Sequence, residues 1–294
     1  MAIYDLTTGF TWAFPAKPQL FKYPIMSSVA LMLLDLYPGA TAAYSLRKLR
    51  KAYIGACIRV RRSSDNSEQD IGFSGNVLDT VTLLNFVGAG NGHVVTWYDQ
   101  SLTPRNISQS IALSQPMIIN TGVIYELSSG KPSVKFISAN TTLLSSATGL
   151  SSNDYQNAAG DSTTSIVFKS AIGSYALFGF GSNGLNLHAP WADGNTYFDT
   201  GSGARLTTPL NWNNPSQGTF SRLSDLASIR QNGVTIATNT NTAKMAPGTS
   251  AFVLGANAGS SLPFEGLVSE YVHYGYAMPN ISGLETTTKG FFGL

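Results

Sequence analysis

Ten short segments rich in β-branched and aromatic residues, most of them separated by turn clusters, occupy the chain from residue 94 onward. They are Val94–Tyr98, Met117–Asn120, Ser133–Ile137, Thr164–Lys169, Tyr175–Phe180, Thr196–Asp199, Ala227–Gln231, Val234–Thr238, Ala251–Leu254 and Leu267–Tyr274. Strands this short, with no helical periodicity between them, exclude a doubly wound parallel sheet and predict a mostly β sandwich or barrel. Asn232-Gly233, between the seventh and eighth segments, is the sharpest local signal: a two-residue type I′ hairpin, which needs positive φ at both central positions.

The residues before position 94 read differently. Thr41 to Tyr53 predicts a helix, with Thr41 as its cap, Ala42, Leu46, Leu49 and Tyr53 as its apolar stripe and Gly55 as its stop. A strand follows at Cys57–Arg62. Leu78 to Val87 predicts a short helix with Leu78, Val81, Leu84 and Phe86/Val87 inward, and Asn280 to Lys289 a closing helical turn. Residues 1–40 hold Pro15, Pro18, Pro24 and Pro38 with Trp12, Phe14, Phe21 and Tyr23 between them, which predicts an extended N-terminal arm ahead of a 41–294 domain. Its rings need a partner surface, either the domain itself or a neighbouring subunit, and the second option implies a homo-oligomer.

Charged residues make up 12% of the chain, against roughly a quarter in ordinary globular domains. Solubility therefore rests on Ser, Thr, Asn and Gly. The net charge of +2 gives no global pull toward nucleic acid or an anionic membrane, and the apolar run Val29–Leu36 is too short to span a bilayer. Seven of the 18 basic residues fall between Arg47 and Arg62; they read as a solvated face, since no aromatic stacking residues alternate with them. Cys57 is the lone cysteine, and the N-terminus lacks the order of a secretory signal, so assembly in a reducing cytoplasm is expected.

Several chemistries lack support. His93, His188 and His273 have no second ligand at metal spacing, and no nucleophile elbow, P-loop or dinucleotide fingerprint is present. No metal or other cofactor is expected, although a calcium ion held by loop carbonyls stays open because backbone ligands leave no trace in a sequence. Glycoside hydrolysis needs two carboxyl groups across the scissile bond, and Asp99, Glu126, Asp193, Asp199, Glu265 and Glu270 are the candidates.

Ala43-Tyr44-Ser45-Leu46-Arg47, Ile58-Arg59-Val60-Arg61-Arg62, Trp97-Tyr98-Asp99-Gln100-Ser101, Arg105-Asn106, His188-Ala189-Pro190-Trp191-Ala192-Asp193-Gly194 and Phe264-Glu265-Gly266 together resemble the fungal and bacterial α-L-arabinofuranosidase B catalytic domain. That resemblance covers residues from about 41 to the end. It implies a two-sheet antiparallel β-sandwich of the concanavalin-A/laminin-G, jelly-roll kind, as found also in bacterial and phage proteins, with two or three short helices. It also places Asn195 and Asn257 where the family has its nucleophilic Glu and its acid Asp, and an amide can do neither job. The resemblance implies a structural role for Trp97, Tyr98, Asp99, Gln100 and Arg105. His188, Trp191, Asp193, Asn195 and Tyr197 form the best candidate sugar-binding cluster.

With both carboxylates replaced, the expectation is a protein with no catalytic residues: an adhesive phage virion component such as a head fibre, decoration or tail protein, assembled in the host cytoplasm. It would join other virion subunits through residues 1–40 and bind cell-surface glycans. The alternatives are a glycoside hydrolase of the arabinofuranosidase type, in which Asp193 or Asp199 would have been recruited, and a bacterial surface lectin.

Overall fold

The computed structural model describes residues 31–294 apart from 129, 147–149, 172, 174, 182–183, 202 and 241–242. The chain is mostly β. Its hub is the nine-residue strand Gly266–Tyr274, which pairs along one side with Ser162–Ser170 and along the other with both Ala42–Ser45 and Val134–Phe136. From Ser162–Ser170 the antiparallel ladder runs outward through Ser216–Leu223, Leu226–Gln231 and Val234–Thr240. From Val134–Phe136 it passes through Met117–Asn120 to Gly92–Trp97, Ile58–Arg62 and Glu68–Ile71.

The far end of Gly92–Trp97 opens a second course. It leads through Ile107–Ser108, Leu144–Ser146, Phe252–Leu254, Ala176–Phe180, Leu185–His188 and Asn195–Gly201 to Ala204–Pro209. Nineteen of the described strands thus form one hydrogen-bonded network, and this corrects the expectation of two separate sheets. The link is at Lys135↔Met117, where a single pair joins Val134–Phe136 to Met117–Asn120 and so ties the two ladders together. Two of the outer strands, Ala204–Pro209 and Val234–Thr240, also lie against each other, with Asn239 Nδ2 donating to Arg205 O at 3.2 Å.

The interior is aromatic. Tyr44, Trp97, Phe136, Tyr155, Phe178, Phe252 and Tyr271 are buried together, with ring centroids 4.9 Å apart for Phe252 and Tyr271 and 4.2 Å for Tyr155 and Phe180. Such pairs add about 0.5–1.5 kcal/mol each beyond the area they bury. All ten predicted strands are present, and the Asn232-Gly233 hairpin has φ of 50° and 85°, both positive as the turn requires. Ser216–Leu223 was not expected, because its buried residues are largely polar. Gln217 explains how they are tolerated: its Nε2 donates to Thr219 Oγ1 at 2.7 Å and Ser165 Oγ at 3.0 Å.

The helix expected at Thr41–Tyr53 is absent; Ala42–Ser45 is a strand and the rest is irregular. The segment's backbone is claimed from outside. Asp99 takes the Ala43 N–H and Gln100 the Leu49 N–H, each at 2.8 Å, leaving no helical ladder to form. The second expected helix is real over Thr80–Val87, capped by Asp79, but it buries Leu83 and Val87 and exposes Val81 and Leu84. The closing helix Ile281–Phe292 is longer than expected and ends at Gly293 in the left-handed region. Residues 1–30, which carry the arm's rings, lie outside the described residues. Of the remainder, Leu33 and Leu34 are buried with Leu49, Val272, Tyr274 and Leu284.

The basic run between Arg47 and Arg62 is largely consumed internally. Arg47 pairs with Glu270, Arg59 with Asp70 and Arg62 with Asp65, while Arg50 donates to the carbonyls of Gln100 and Ser101. That arrangement is a set of local braces rather than an anion-binding face.

Candidate functional site

Register alone gathers one set of side chains. Leu185–His188 and Asn195–Gly201 pair with Asn186 opposite Asp199 and His188 opposite Tyr197. The next strand sets Arg205 opposite Asp199. Because side chains alternate along a strand, Tyr197 and Asp199 share one face while Thr196 and Phe198 point into the protein. Asn186, His188, Tyr197, Asp199 and Arg205 thereby line a cleft of about 680 Å³, completed by Trp191 and by the turn that carries Asn257 and Gly259. The volume falls within the usual range of about 300–1,000 Å³ for ligand sites.

Asp199 is the charged centre. Arg205 grips it with two parallel bonds, Nε to Oδ1 at 2.6 Å and Nη2 to Oδ2 at 2.9 Å, and His188 Nε2 lies 3.7 Å from Oδ2. Burial works against the charge, but the Arg205 hydrogen bonds and then His188 outweigh it, so the carboxyl sits below its ordinary range and is ionised at neutral pH. His188 itself is buried, and its Nδ1 has no hydrogen-bond partner among the described residues.

At the mouth, Tyr197 donates its hydroxyl to Asp193 Oδ2, and Asp193 Oδ1 accepts the Asn195 N–H at 2.9 Å. These contacts, Tyr197 first, lower the Asp193 carboxyl below its usual range, and in return the tyrosine phenol is pushed up. The Arg205 guanidinium lies 4.9 Å from the Tyr197 ring centre. Trp191 meets Tyr175, His188 and Tyr197 edge to face at 4.8, 5.3 and 6.3 Å, so its plane is fixed by three neighbours.

Of the predicted cluster, His188, Trp191 and Tyr197 line the cleft, Asp193 reaches it through Tyr197, and Asn195 contributes main-chain bonds at its rim, accepting from Trp191 N at 2.8 Å. Asp199 appeared in the sequence as one carboxylate among six and, with Asp193, as one of the two that the hydrolase alternative would have recruited. Arg205 and Asn186 gave no signal there, because only strand register brings them in. Asn257 lines the cleft, with its Oδ1 accepting from Ser261 N at 2.8 Å and closing its own turn.

The Trp97-Tyr98-Asp99-Gln100 motif lies elsewhere. Asp99 is buried and accepts from the backbone N–H groups of Ala43, Ser101 and Arg105, each at 2.8 Å, and from Ser101 Oγ at 3.0 Å. Burial pushes its carboxyl up to about 6 in spite of those donors. Gln100 bridges Leu49 N, Ser45 O and Arg47 O; Trp97 is in the core, and Tyr98 donates to Asp70 at 2.7 Å. Arg105 reaches Asp154 at 2.8 Å. Among the described residues no group of three or more His, Cys, Asp or Glu is placed to hold a metal ion, and no helix is long and apolar enough to cross a membrane.

No protein-family model matches the chain, and no curated protein sequence is a significant match. Solved structures do match in fold. An arabinofuranosidase complexed with arabinofuranosyl-α-1,2-xylobiose aligns at a TM-score of 0.60 with 14% identity, over 87% of this chain and 63% of that one. A GH54 α-L-arabinofuranosidase soaked with a cyclic sulfate inhibitor aligns at 0.65 with 13% identity, over the same shares. The chain spans a little under two thirds of the length of these structures, and at such identity the likeness is one of fold. It corrects the expectation of a non-enzymatic phage virion component, because the neighbours are glycoside hydrolases. The non-enzymatic part of that expectation rested on Asn195 and Asn257, and strand register supplies the cleft instead with an ionised carboxylate, Asp199.

Proposed function

We propose that the chain is a glycoside hydrolase acting on arabinofuranosides or similarly built sugars, with Asp199 as the carboxylate that bears on the anomeric carbon. The observation that carries this reading is the ionised Asp199 in an open cleft beside Arg205 and His188. Glycosidic cleavage passes through an oxocarbenium-like transition state, which a fixed carboxylate stabilises or attacks. The aromatic edges of Trp191 and Tyr197 offer apolar faces to the sugar ring, and Asn186, Asn257 and Arg205 offer partners to its hydroxyls. The cleft's proton-bearing groups are the His188 imidazole and the Tyr197 phenol, so the proton for the departing oxygen is assigned to one of these two. The finer fold assignment, a concanavalin-A-like sandwich whose layers join through the Lys135–Met117 pair, belongs to the same proposal and is supported by the TM-scores.

Release of the aryl alcohol from 4-nitrophenyl α-L-arabinofuranoside tests the reading. Turnover that disappears in Asp199→Asn supports it, and His188→Ala against Tyr197→Phe identifies the proton donor. Turnover that is absent from the wild type across a panel of aryl glycosides, or unchanged in Asp199→Asn, overturns it.

A further inference from the structure

The Tyr197 phenol and the His188 imidazole lie opposite each other on paired strands of the cleft, and their polar atoms are engaged differently. The Tyr197 hydroxyl donates to Asp193 Oδ2. Asp193 is set for this by its own turn: Oδ1 accepts the Asn195 N–H at 2.9 Å, Trp191 N donates to Asn195 O at 2.8 Å, and Gly194 N donates to Trp191 O at 2.9 Å. A phenol has one proton, and here it lies between its own oxygen and an ionised carboxylate at the rim. The same bond raises the phenol further above neutrality, away from the pH at which a general acid works best.

The tyrosine ring has a second neighbour. The Arg205 guanidinium carbon lies 4.9 Å from its centroid, and Arg205 is the residue that grips both Asp199 oxygens. A half-exposed arginine has many rotamers, and an aromatic face beside its guanidinium narrows that choice. His188 is under no such commitment. Its Nε2 is 3.7 Å from Asp199 Oδ2, outside the range of about 2.7–3.2 Å for an N–H···O bond, and its Nδ1 has no partner among the described residues. Asp199 and Arg205 are the other charged side chains lining the cleft, with Asp193 at its rim. Histidine is also the side chain type that ordinarily exchanges protons near neutral pH.

We infer that Tyr197 is a positioning residue and His188 the proton donor: Asp193 commits the Tyr197 hydroxyl, the Tyr197 ring keeps Arg205 on Asp199, and the leaving oxygen takes its proton from His188 Nε2. That assignment rests on the glycosidase reading for the reaction itself. As the bond between the anomeric carbon and the leaving oxygen breaks, its electron pair goes to that oxygen. The oxygen takes the Nε2 proton and departs as an alcohol, and the imidazole is left neutral. A water molecule then adds its oxygen at the anomeric carbon and returns a proton to Nε2.

Leaving-group dependence separates the two roles, because a missing acid harms a poor leaving group more than a good one, whereas a displaced guanidinium harms both. On phenyl and 4-nitrophenyl α-L-arabinofuranoside, His188→Gln should lower kcat/KM for the phenyl glycoside at least about tenfold more than for the nitrophenyl one. Tyr197→Phe and Asp193→Asn should each change both by the same factor, and Tyr197→Ala, which removes the ring, should lower both further. A loss confined to the phenyl glycoside in Tyr197→Phe, an equal loss on both in His188→Gln, or Tyr197→Ala no slower than Tyr197→Phe overturns the inference. Should His188→Gln fail to fold, the two Tyr197 variants decide by the same criteria. Should the wild type cleave neither glycoside, the glycosidase reading fails by itself. The proton assignment is then read by ¹³C NMR of protein labelled at the tyrosine ζ carbon, with Tyr197 identified by its absence from Tyr197→Phe. A Tyr197 phenol that titrates at lower pH in Asp193→Asn than in the wild type upholds the assignment, and one that titrates at the same pH overturns it.

Discussion

Two aspartate–histidine neighbourhoods can be set side by side. In the interior, Asp99 accepts three backbone N–H groups and a hydroxyl, while His273 has both ring nitrogens engaged, Nδ1 with Thr164 Oγ1 at 2.8 Å and Nε2 with Tyr155 O at 3.0 Å. In the cleft, Asp199 is held by Arg205, whose side chain is half exposed, and His188 keeps one nitrogen without a partner among the described residues. The residue types are the same and the consequences opposite. A carboxylate satisfied by the main chain cannot give up its donors without unfolding the segments that supply them. A carboxylate satisfied by a half-exposed guanidinium beside an open cleft can exchange that partner for a ligand hydroxyl.

The largest effect that would break this comparison lies in the interior. Asp99→Ala leaves three backbone donors buried and unpaired, and should cost about 4 kcal/mol or more, at roughly 1–3 kcal/mol per orphaned group. Denaturant unfolding reads it, and a loss under 1 kcal/mol would mean that the junction is not held by its carboxylate. Asp199→Asn should cost far less stability, within about 1 kcal/mol, since Arg205 can turn to water.

The histidines sharpen the contrast through pH. Burial lowers the His273 pKa from 6.5 to about 4, so below 6.5 the unfolded chain binds a proton that the folded one refuses. Stability from this group is therefore complete above 6.5 and is lost as the pH falls toward 4. The wild type minus His273→Gln difference should drop by about 1.4 kcal/mol per pH unit across that window. A difference flat with pH would show that His273 is already protonated or exposed.

Next comes catalysis. Under the proposed function, Asp199→Asn should lower kcat on an aryl arabinofuranoside by at least roughly 100-fold, the scale expected for loss of an essential acid, base or nucleophile. The smallest effect is at the hairpin. Gly233→Val places a β-branched residue at a φ of 85° and brings its Cβ to 2.9 Å from Lys289 Nζ, for a loss of about 1–2 kcal/mol seen as a lowered melting temperature. An unchanged melting temperature would mean that the turn relaxes to another type.

What could be read before the fold was known follows the same division. Strands that bury Val, Ile and Phe announce themselves, as Ala176–Phe180 and Gly266–Tyr274 do. Ser216–Leu223 does not, because its burial is underwritten by Gln217 bonding to hydroxyls on its own and the neighbouring strand. The helix expected over Thr41–Tyr53 had a sound local pattern and lost to contacts from Asp99 and Gln100, more than fifty residues away, for which local propensity has no term. His188, Trp191 and Tyr197 were legible because they crowd one short stretch. The partnership of Asp199 with Arg205 exists only once two strands are in register, and Asn257 enters from a turn about sixty residues downstream.

The meeting of Ala204–Pro209 with Val234–Thr240 bears on how this protein behaves among its own copies. An exposed outer strand offers unpaired N–H and C=O groups to any passing chain, which is how β proteins seed aggregates. Here these two outer strands lie against each other, and Asn239 already occupies the Arg205 carbonyl. The strand shielded in this way is the one that carries the cleft's cation, so a substitution such as Asn239→Ala that loosens the seam would raise self-association and disturb the Asp199 ion pair together.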